Sequence, residues 1–250
     1  MPLERDDWND HWAKYADSAN ENPAQAYRRR LIALALSSHG RPARILDIGS
    51  GQGDMAAYLR DVFPEAKIRG IELSQTGVDI ARKKVPTATF TQRDLLEPAV
   101  LSPAEREWAT HAVCTEVLEH VEAPEVLLAA AQAYLAPGGW LFVTVPGGPM
   151  SAFDRHIGHR RHYRPADLRA VLESGGLETV AVSGAGFPFF NLYRLLVILR
   201  GKRLVQDAKS EAGQLPWSAR AVMRLFSVLF RLNLDNFPWG WQIVALARKR

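Results

Sequence analysis

One short stretch places three glycines between two aspartates, Asp47-Ile-Gly49-Ser-Gly51-Gln-Gly53-Asp54. Glycines allow a sharp turn, and the N–H groups of a helix that starts after such a turn face a ligand. A dinucleotide-binding turn has its third glycine at the sixth position, where this chain has Asp54. Because carboxylates before and after the turn repel a diphosphate, the stretch favours a ligand with positive charge over a nicotinamide dinucleotide.

Further carboxylates follow the next three predicted strands. Glu72 ends the second strand, Asp94 follows the third and Glu116 follows the fourth. In an open parallel sheet, ligands bind beyond the carboxyl ends of the strands, so we expect these acids near the same ligand as the glycine turn. The position of Glu72 after the turn also matches the carboxylate that binds ribose hydroxyls in nucleotide-binding folds.

A third group of reactive side chains lies in residues 154–164, where His156, His159 and His162 stand among several arginines. Three histidines at this spacing could ligate a metal on a helix, but Gly158 and a following proline disfavour the helix, so no metal is predicted. A solvated basic loop is the second interpretation. The preferred one is a loop that borders the substrate, in which His159 or His156 takes a proton from an acceptor hydroxyl, because the pKa of histidine lies near neutrality.

The elements that must position these groups alternate between strand and helix, which predicts an α/β fold. A helix is predicted over residues 23–38 with Gly40 at its end, an apolar helix over 186–200, a polar linker over 201–216 and a second helix over 217–232. Short apolar runs predict seven strands, near residues 45–48, 67–72, 87–91, 111–115, 140–145, 177–183 and 239–247.

Composition narrows the class of protein. The 250 residues carry a net charge of +4, but from Arg194 onward 11 Lys and Arg face only three Asp and Glu. A single cysteine, Cys114, excludes an intrachain disulfide and fits a reducing compartment. The polar, acidic first residues do not read as a signal peptide, and no apolar run is long enough to span a bilayer. A cytoplasmic protein is therefore expected.

Motifs at the turn and at two strands resemble those of one enzyme family. Asp-x-Gly-x-Gly-x-Gly after a strand is similar to motif I of the class I S-adenosylmethionine-dependent methyltransferases, and Val117-Leu-Glu-His120 resembles a signature of their ubiquinone-biosynthesis-like, small-molecule branch. Leu135-Ala-Pro-Gly-Gly resembles their turn before strand five. The resemblance covers roughly residues 40–185. It implies a Rossmann-like, seven-stranded, mostly parallel sheet whose last strand is antiparallel and enters between strands five and six.

The resemblance also implies a cofactor, S-adenosyl-L-methionine. Its positive methionine end would lie against the glycine turn, Glu72 would bind the ribose, and Asp94 with the N–H of Leu95 would bind the adenine. Two roles stay open for Glu116, which could brace the turn after strand four or line the sulfonium end. The predicted cofactor site comprises Asp47, Gly49, Ser50, Gly51, Gly53, Glu72, Leu73, Asp94, Leu95 and Glu116.

Residues in the loop after strand five also match the family, since Asp-x-x-x-Gly-His-x-Arg-x-Tyr resembles a stretch found in many bacterial members. The matching positions are His159, Arg161 and Tyr163. With the alternative base His156, they form the predicted catalytic set.

Four regions are predicted along the chain. Residues 1–40 would form an N-terminal helical lid, 41–185 the Rossmann-like core, 186–236 a helical insertion or cap between strands six and seven, and 237–250 the final strand. Trp8, Trp12 and Tyr15 recur at helical spacing near the start, as a docking face or as part of the lid.

The preferred function is methyl transfer from S-adenosylmethionine to a small-molecule acceptor, with transfer to oxygen favoured. The alternative is a cofactor-binding module at a membrane surface or on a partner, acting on a lipid or lipid-linked acceptor. The apolar and basic segment 187–236 suggests a cap, a homodimer face or a peripheral membrane contact. No nucleic-acid partner is expected, because no recognised nucleic-acid module accompanies the basic charge.

Overall fold

The computed structural model describes residues 8–9, 22–209 and 217–250, with backbone only for residues 202–209. Predicted residues Trp12 and Tyr15 lie outside this part of the chain. Strands and helices alternate in the order α1 (Pro23–Ser38), β1 (Arg44–Ile48), α2 (Asp54–Val62), β2 (Lys67–Glu72), α3 (Gln75–Lys84), β3 (Thr89–Gln92), β4 (Ala109–Thr115), α4 (Pro124–Gln132), β5 (Leu135–Pro146), α5 (Ala152–His156), α6 (Pro165–Ser174), β6 (Glu178–Ala185), α7 (Phe189–Lys209), α8 (Trp217–Leu229) and β7 (Gln242–Arg248).

The strands form one sheet in the order β3-β2-β1-β4-β5-β7-β6. The pairs among β1 to β5 are parallel, whereas β7 runs antiparallel to both β5 and β6. This confirms the predicted α/β fold, including the entry of the last strand between strands five and six. Because β1 lies centrally, its carboxyl end meets those of β2 and β4, with Ile48 opposite Ile71 and Cys114.

Apolar residues cover both faces of the sheet, as a parallel sheet with helices on both sides requires. Side chains alternate along β1, so that Ile45 packs on the face of α1, α2 and α3 while Leu46 packs on the face of α4 and α6. Both side chains are fully buried. The rigid centre of the fold thus holds the glycine turn that follows β1.

The helix α1 starts and ends where its sequence signals indicate. The Asn22 side chain accepts a hydrogen bond from the N–H of Ala24, which caps the first turn, and Gly40 adopts a left-handed φ of +103° just beyond the end. Its buried residues join the core under the sheet and a second cluster with α7 and α8. Within the described residues, no helix is both long enough and apolar enough to cross a membrane.

The predicted linker at 201–216 is wrong in its first part, because α7 continues through residue 209. Gly201 does not end the helix. It is buried, and a Cβ atom there would lie 3.5 Å from the backbone N of Ala152 in α5. At this distance a Cβ atom would make an ordinary van der Waals contact, so Gly201 is a glycine tolerated inside a helix, which in sequence resembles a helix stop. Residues 187–201 and 217–236 form an antiparallel hairpin, in which Phe190 packs on Phe230 and Tyr193 on Phe226.

Candidate active site

The glycine turn has the backbone that its sequence predicts. Gly49, Gly51 and Gly53 have φ values of +68°, +52° and +82°, in the left-handed region that favours glycine. A Cβ atom on Gly49 would lie only 2.4 Å from a methyl group of Val117. The turn therefore brings the backbone close to the loop after β4, and it ends at the first residue of α2, whose N–H groups face the same edge of the sheet.

Glu72 lies at the centre of this edge and is anchored from both sides. One carboxylate oxygen accepts a hydrogen bond from the N–H of Gly51 at 2.8 Å, and the other accepts from the N–H of Ser74 at 2.9 Å. The side chain is buried. Two backbone donors thus fix a charged acceptor between the turn and the start of α3, as a ribose-binding carboxylate requires.

Asp47 is a buried carboxylate whose two oxygens accept no well-formed hydrogen bond from a described residue. Burial, followed by the neighbouring charges of Glu72 and Asp54, raises its pKa to about 7, and the amide of Ala56 offsets part of this rise. A buried carboxyl group beside the glycine turn, with no cation near it to balance its charge, fits a ligand that brings a positive charge. The methionine end of S-adenosylmethionine is such a ligand.

The adenine side of the predicted site lies beyond β2 and β3. Leu73 follows Glu72 and exposes its apolar side chain, while Leu95 is buried in the core. Asp94 is held in a tight turn, because its carboxylate accepts a hydrogen bond from the N–H of Leu96 at 2.8 Å. An exposed leucine and a positioned carboxylate at one edge suit a flat heterocycle with an amino group.

Glu116 occupies a strained position after β4 and is braced by three side chains. Its φ is +55°, which is uncommon for a residue other than glycine. One oxygen pairs with Arg28 of α1 at 2.9 Å, and the other accepts hydrogen bonds from Thr144 and Gln242. These contacts show a bracing interaction, whereas contact with the sulfonium end remains a prediction.

The N-terminal segment reaches the same edge. The carboxamide oxygen of Asn9 accepts a hydrogen bond from the hydroxyl of Ser74 at 2.7 Å, and the indole of Trp8 packs edge-on against His120, with 4.8 Å between ring centroids. Two adjacent residues therefore contact the start of α3 on one side and the loop after β4 on the other. This position suits a segment that covers a ligand.

His159 lies in a chain of polar contacts that fixes its tautomer. The Nδ1 atom of His162 lies 3.0 Å from the carbonyl oxygen of Gly148, and since a carbonyl can only accept, this nitrogen must carry the proton. Burial lowers the pKa of His162, so its ring is neutral at pH 7 and its Nε2 atom accepts from Nδ1 of His159 at 3.2 Å. His159 is therefore left with an unprotonated Nε2, which lies 4.0 Å from a carboxylate oxygen of Glu119.

Glu119 is the most deeply buried acid near this series of polar contacts. Neither of its oxygens has a hydrogen-bond partner among the described residues. Burial and then the nearby Glu116 raise its pKa well above the ordinary value, while burial and then His120 lower the pKa of His159 to about 2. The two groups thus favour their neutral forms together, with one exchangeable proton on the acid and a free lone pair on the ring. This corrects the expectation of a histidine pKa near neutrality, because buried His159 can hold a proton at neutral pH only beside an ionised Glu119.

The loop that carries His159 is held by a buried ion pair. Asp154 accepts two parallel hydrogen bonds from Arg194 of α7, at 3.0 and 2.9 Å, and caps α5 reciprocally with Ser151. Burial alone would raise the pKa of Asp154, but Arg194 and the Ser151 groups together lower it to about 2. The carboxylate is therefore charged at neutral pH, and the helix hairpin anchors the loop directly.

The other predicted catalytic residues occupy different environments. His156 is exposed at the end of α5, and Arg161 donates to the carbonyl oxygen of Glu122. Tyr163 is buried in the core, where its hydroxyl donates to the carbonyl oxygen of Leu118 at 3.0 Å. Burial raises the pKa of this phenol above its usual range. The structure thus brings His159 to the polar chain and gives Arg161 and Tyr163 contacts that support the loop.

Sequence reasoning missed several residues of this arrangement. Glu119 stands in the Val-Leu-Glu-His motif and Asp154 at the start of the predicted loop, but neither received a role. Arg194 gave no signal, because its partner lies 40 residues away. Ligand atoms of Glu119, His120 and His159, and those of Asp154, His159 and His162, lie within 4.8 Å of one another. Each set could hold a cation, although Arg194 already occupies both oxygens of Asp154.

The open α/β sheet, the glycine cradle and the anchored ribose-type carboxylate define a class I, Rossmann-like nucleotide-binding methyltransferase. The sequence profile of a family described as "Methyltransferase domain" matches residues 19–182, and the chain belongs to this family. It is an S-adenosylmethionine-dependent methyltransferase, and the glycine turn, Glu72 and Asp47 at the carboxyl edge of the sheet fit that cofactor.

Two curated relatives show how far the likeness extends. A ubiquinone biosynthesis O-methyltransferase of Thiobacillus denitrificans is 29% identical over 175 residues, covering 61% of this chain and 72% of the relative. A trans-aconitate 2-methyltransferase of an Acidovorax species is 28% identical over 176 residues, covering 67% of this chain and 64% of the relative. The chain thus spans about two thirds of the length of these relatives.

Solved structures show the same fold at low sequence identity. A putative sarcosine dimethylglycine methyltransferase from Galdieria sulphuraria superimposes with a TM-score of 0.64 at 15% identity, over 98% of both chains. A possible histamine N-methyltransferase from Thermotoga maritima gives 0.59 at 18% identity, over 96% of both chains. At this identity the likeness concerns the fold alone.

Proposed function

We propose that this methyltransferase transfers the methyl group to an oxygen atom of a small-molecule acceptor, and that Nε2 of His159 receives the acceptor's proton. The observation that carries the proposal is the fixed tautomer of His159, whose unprotonated Nε2 lies in a buried, polar position near Glu119. The relative named a ubiquinone biosynthesis O-methyltransferase supports transfer to oxygen.

Positioning of the two reactants contributes more to the rate than removal of the acceptor's proton. When bound, S-adenosylmethionine would supply a methyl group carried on a sulfonium. As the acceptor oxygen attacks the methyl carbon in line, the carbon–sulfur bond breaks and the sulfur leaves as a neutral thioether. Fixing the geometry of two reactants is worth about 7–11 kcal/mol, whereas a general base contributes roughly 10²–10⁴-fold. Glu72, Asp47 and the glycine turn would hold the donor, while the loop around His159 would orient the acceptor hydroxyl and take its proton.

Glu119 sets the pH at which His159 can act. A proton arriving at Nε2 is stabilised when the neighbouring carboxyl is ionised, and the raised pKa of Glu119 delays that ionisation. We therefore propose that kcat/KM rises with pH through the pKa of Glu119 and levels off above it.

The test compares His159→Ala with His156→Ala, which removes an exposed histidine of the same segment. Formation of S-adenosylhomocysteine is followed with a panel of phenols, catechols and hydroxy acids. We expect His159→Ala to lower kcat by roughly 10²–10⁴-fold and to leave the affinity for S-adenosylhomocysteine unchanged. His156→Ala should match the wild type.

Two outcomes would contradict this assignment. Full activity in His159→Ala would remove the proposed base, and equal losses in both variants would point to a general effect on the loop. Treatment with EDTA provides a separate control, because the proposed mechanism uses no metal and predicts unchanged activity. Loss of activity on chelation, restored by Mg²⁺ or Zn²⁺, would instead assign Glu119 and His159 to a cation.

Within the predicted lid, residues 1–40, we propose that the segment around Trp8 and Asn9 covers the bound cofactor, because these two residues contact both sides of the carboxyl edge, whereas α1 packs into the core. Residues 41–185 and 237–250 would then form the cofactor-binding core, with 186–236 as the insertion. A cytoplasmic location is proposed from the lone, buried thiol of Cys114.

A further inference from the structure

The hairpin of α7 and α8 exposes apolar side chains on the faces that point away from the core. On α7, four leucines recur at i, i+3, i+4 and i+7, a spacing that places them on one face of a helix. All four are exposed, and Leu199 is 73% exposed. The leucines are Leu192, Leu195, Leu196 and Leu199. We name this face the α7 stripe.

A second stripe lies on α8. Trp217, Leu225 and Val228 stand at i, i+8 and i+11 and share one side of the helix, and Trp217 is 81% exposed. The opposite side carries Phe226 and Phe230, which are buried against α1 and α7. A helix with apolar residues on both sides is normally covered on both. The outer side, here named the α8 stripe, is therefore suited to a further contact.

The charge beside the α8 stripe is positive. Arg220 and Arg224 stand at i and i+4 on α8, Arg231 follows in the 3-10 turn after it (Phe230–Leu232), and all three are exposed. In the described residues 187–201 and 217–236, the single acidic residue is Asp235, which faces α1 and pairs with Arg30. An apolar stripe with an arginine flank is the pattern of a helix that lies in the headgroup region of a bilayer.

We propose that the α7–α8 hairpin lies on the surface of an anionic lipid bilayer, with both stripes inserted and the arginine flank at the lipid phosphates. Arginine suits this position because its aliphatic part can lie along apolar groups while its guanidinium reaches the headgroups. Exposed apolar patches of this kind mark sites of interaction.

Charge also argues against a second copy of the chain as the occupant. A two-fold interface brings the same patch of both subunits together, so the arginine flank of one copy would come close to that of the other. Like charges at short range oppose such an association. An anionic surface meets the same flank with the complementary charge.

Bilayer contact through α7 would also concern the active site. Arg194 of this helix holds Asp154 at the start of the His159 loop, and Gly201 packs against α5. The helix α7, which would contact the lipid, therefore also anchors the loop that carries His159. An amphiphilic acceptor dissolved in the bilayer could reach the site without first entering water.

The experiment is flotation of the full chain with vesicles, without turnover, so that its result does not depend on the proposed reaction. Vesicles of phosphatidylglycerol and phosphatidylcholine are compared with vesicles of phosphatidylcholine alone. We expect the wild type to float with the anionic vesicles and much less with the neutral ones, and added salt to weaken the association.

Variants separate the contributions of the two stripes and the flank. Leu195→Ser with Leu199→Ser, and Leu225→Ser with Val228→Ser, should each abolish flotation. Arg224→Gln and Arg231→Gln should each weaken the partition coefficient about fivefold. The matched controls, Val100→Ser at an apolar residue that is 95% exposed and Arg41→Gln at an exposed arginine, should float like the wild type.

Each alternative outcome overturns the proposal. Absence of flotation with anionic vesicles, or flotation that the stripe variants retain, would exclude the hairpin as a bilayer contact. A dimer in sedimentation velocity that Leu225→Ser with Val228→Ser dissociates would assign the stripe to a second copy. Because every substituted residue is exposed, an unchanged melting temperature and unchanged binding of S-adenosylhomocysteine verify that each variant is folded.

Discussion

The two sides of the active site are assembled in different ways. On the cofactor side, Gly51 and Glu72 are 21 residues apart and lie in adjacent units of the alternating fold. On the acceptor side, Asp154 is held by Arg194, 40 residues away, and between the two sides Glu116 is held by Gln242, 126 residues away. One side is a short-range motif on central strands, whereas the other depends on contacts between distant segments.

This difference separates binding from positioning. The cofactor side needs backbone groups and a few carboxylates, which the turn after β1 and the end of β2 provide wherever that fold forms. The acceptor side needs a particular loop conformation, so it recruits support from α1, α7 and β7. We therefore expect the loss of a charged side chain to lower cofactor affinity on the cofactor side, and to lower stability or turnover on the acceptor side.

The largest expected effect concerns the buried ion pair of the acceptor side. Arg194→Ala leaves the Asp154 carboxylate buried without its partner, which should lower the free energy of unfolding by about 3–5 kcal/mol. Urea denaturation followed by circular dichroism measures the change. In the folded fraction, affinity for S-adenosylhomocysteine should stay within about twofold of the wild type, because distant sites act independently.

The matched control breaks an exposed ion pair. Arg169 and Glu173 lie 3.7 Å apart on the surface of α6, so Arg169→Ala should cost only about 0.3–0.5 kcal/mol. In the double variant Arg194→Ala with Asp154→Asn, removal of the unpaired charge should recover part of the loss. A cost for Arg194→Ala no larger than that for Arg169→Ala would show that the acceptor loop does not depend on this pair.

The same difference explains what the sequence could predict. The glycine turn and Glu72 were predictable because positive φ values, strand ends and the following helix are all encoded within about thirty residues. The sheet order followed from the alternation of elements and the family resemblance. Arg194 was not predictable, because nothing along a helix indicates that one of its arginines meets an aspartate of another segment. Gly201 misled because a glycine inside a helix resembles, in sequence, a glycine that ends one.

Glu72→Ala should produce the next largest effect, and on the cofactor side only. The substitution removes the carboxylate that is expected to accept from the ribose hydroxyls, and it frees the N–H groups of Gly51 and Ser74. Hydrogen bonds to charged groups are worth about 1.5–3 kcal/mol, so affinity for S-adenosylhomocysteine should fall by roughly 10- to 150-fold in calorimetry. Glu65→Gln, at an exposed acid just before β2, should bind as the wild type does. Unchanged affinity in Glu72→Ala would contradict its role as the ribose acceptor.

The smallest predicted effect tests the electrostatics of the turn. Asp47 has a pKa of about 7 without ligand, because it is buried near Glu72 and Asp54. A bound positive charge favours the ionised carboxyl and lowers this pKa, so binding of S-adenosylmethionine should release a proton. Affinity should therefore rise with pH up to about 7 and level off above it, by at most about tenfold per pH unit.

Calorimetry in two buffers of different ionisation enthalpy measures the released proton. Asp47→Asn should abolish the release and flatten the pH dependence, whereas a wild-type affinity that does not change between pH 6 and pH 8 would show that the positive end of the cofactor lies away from this carboxylate.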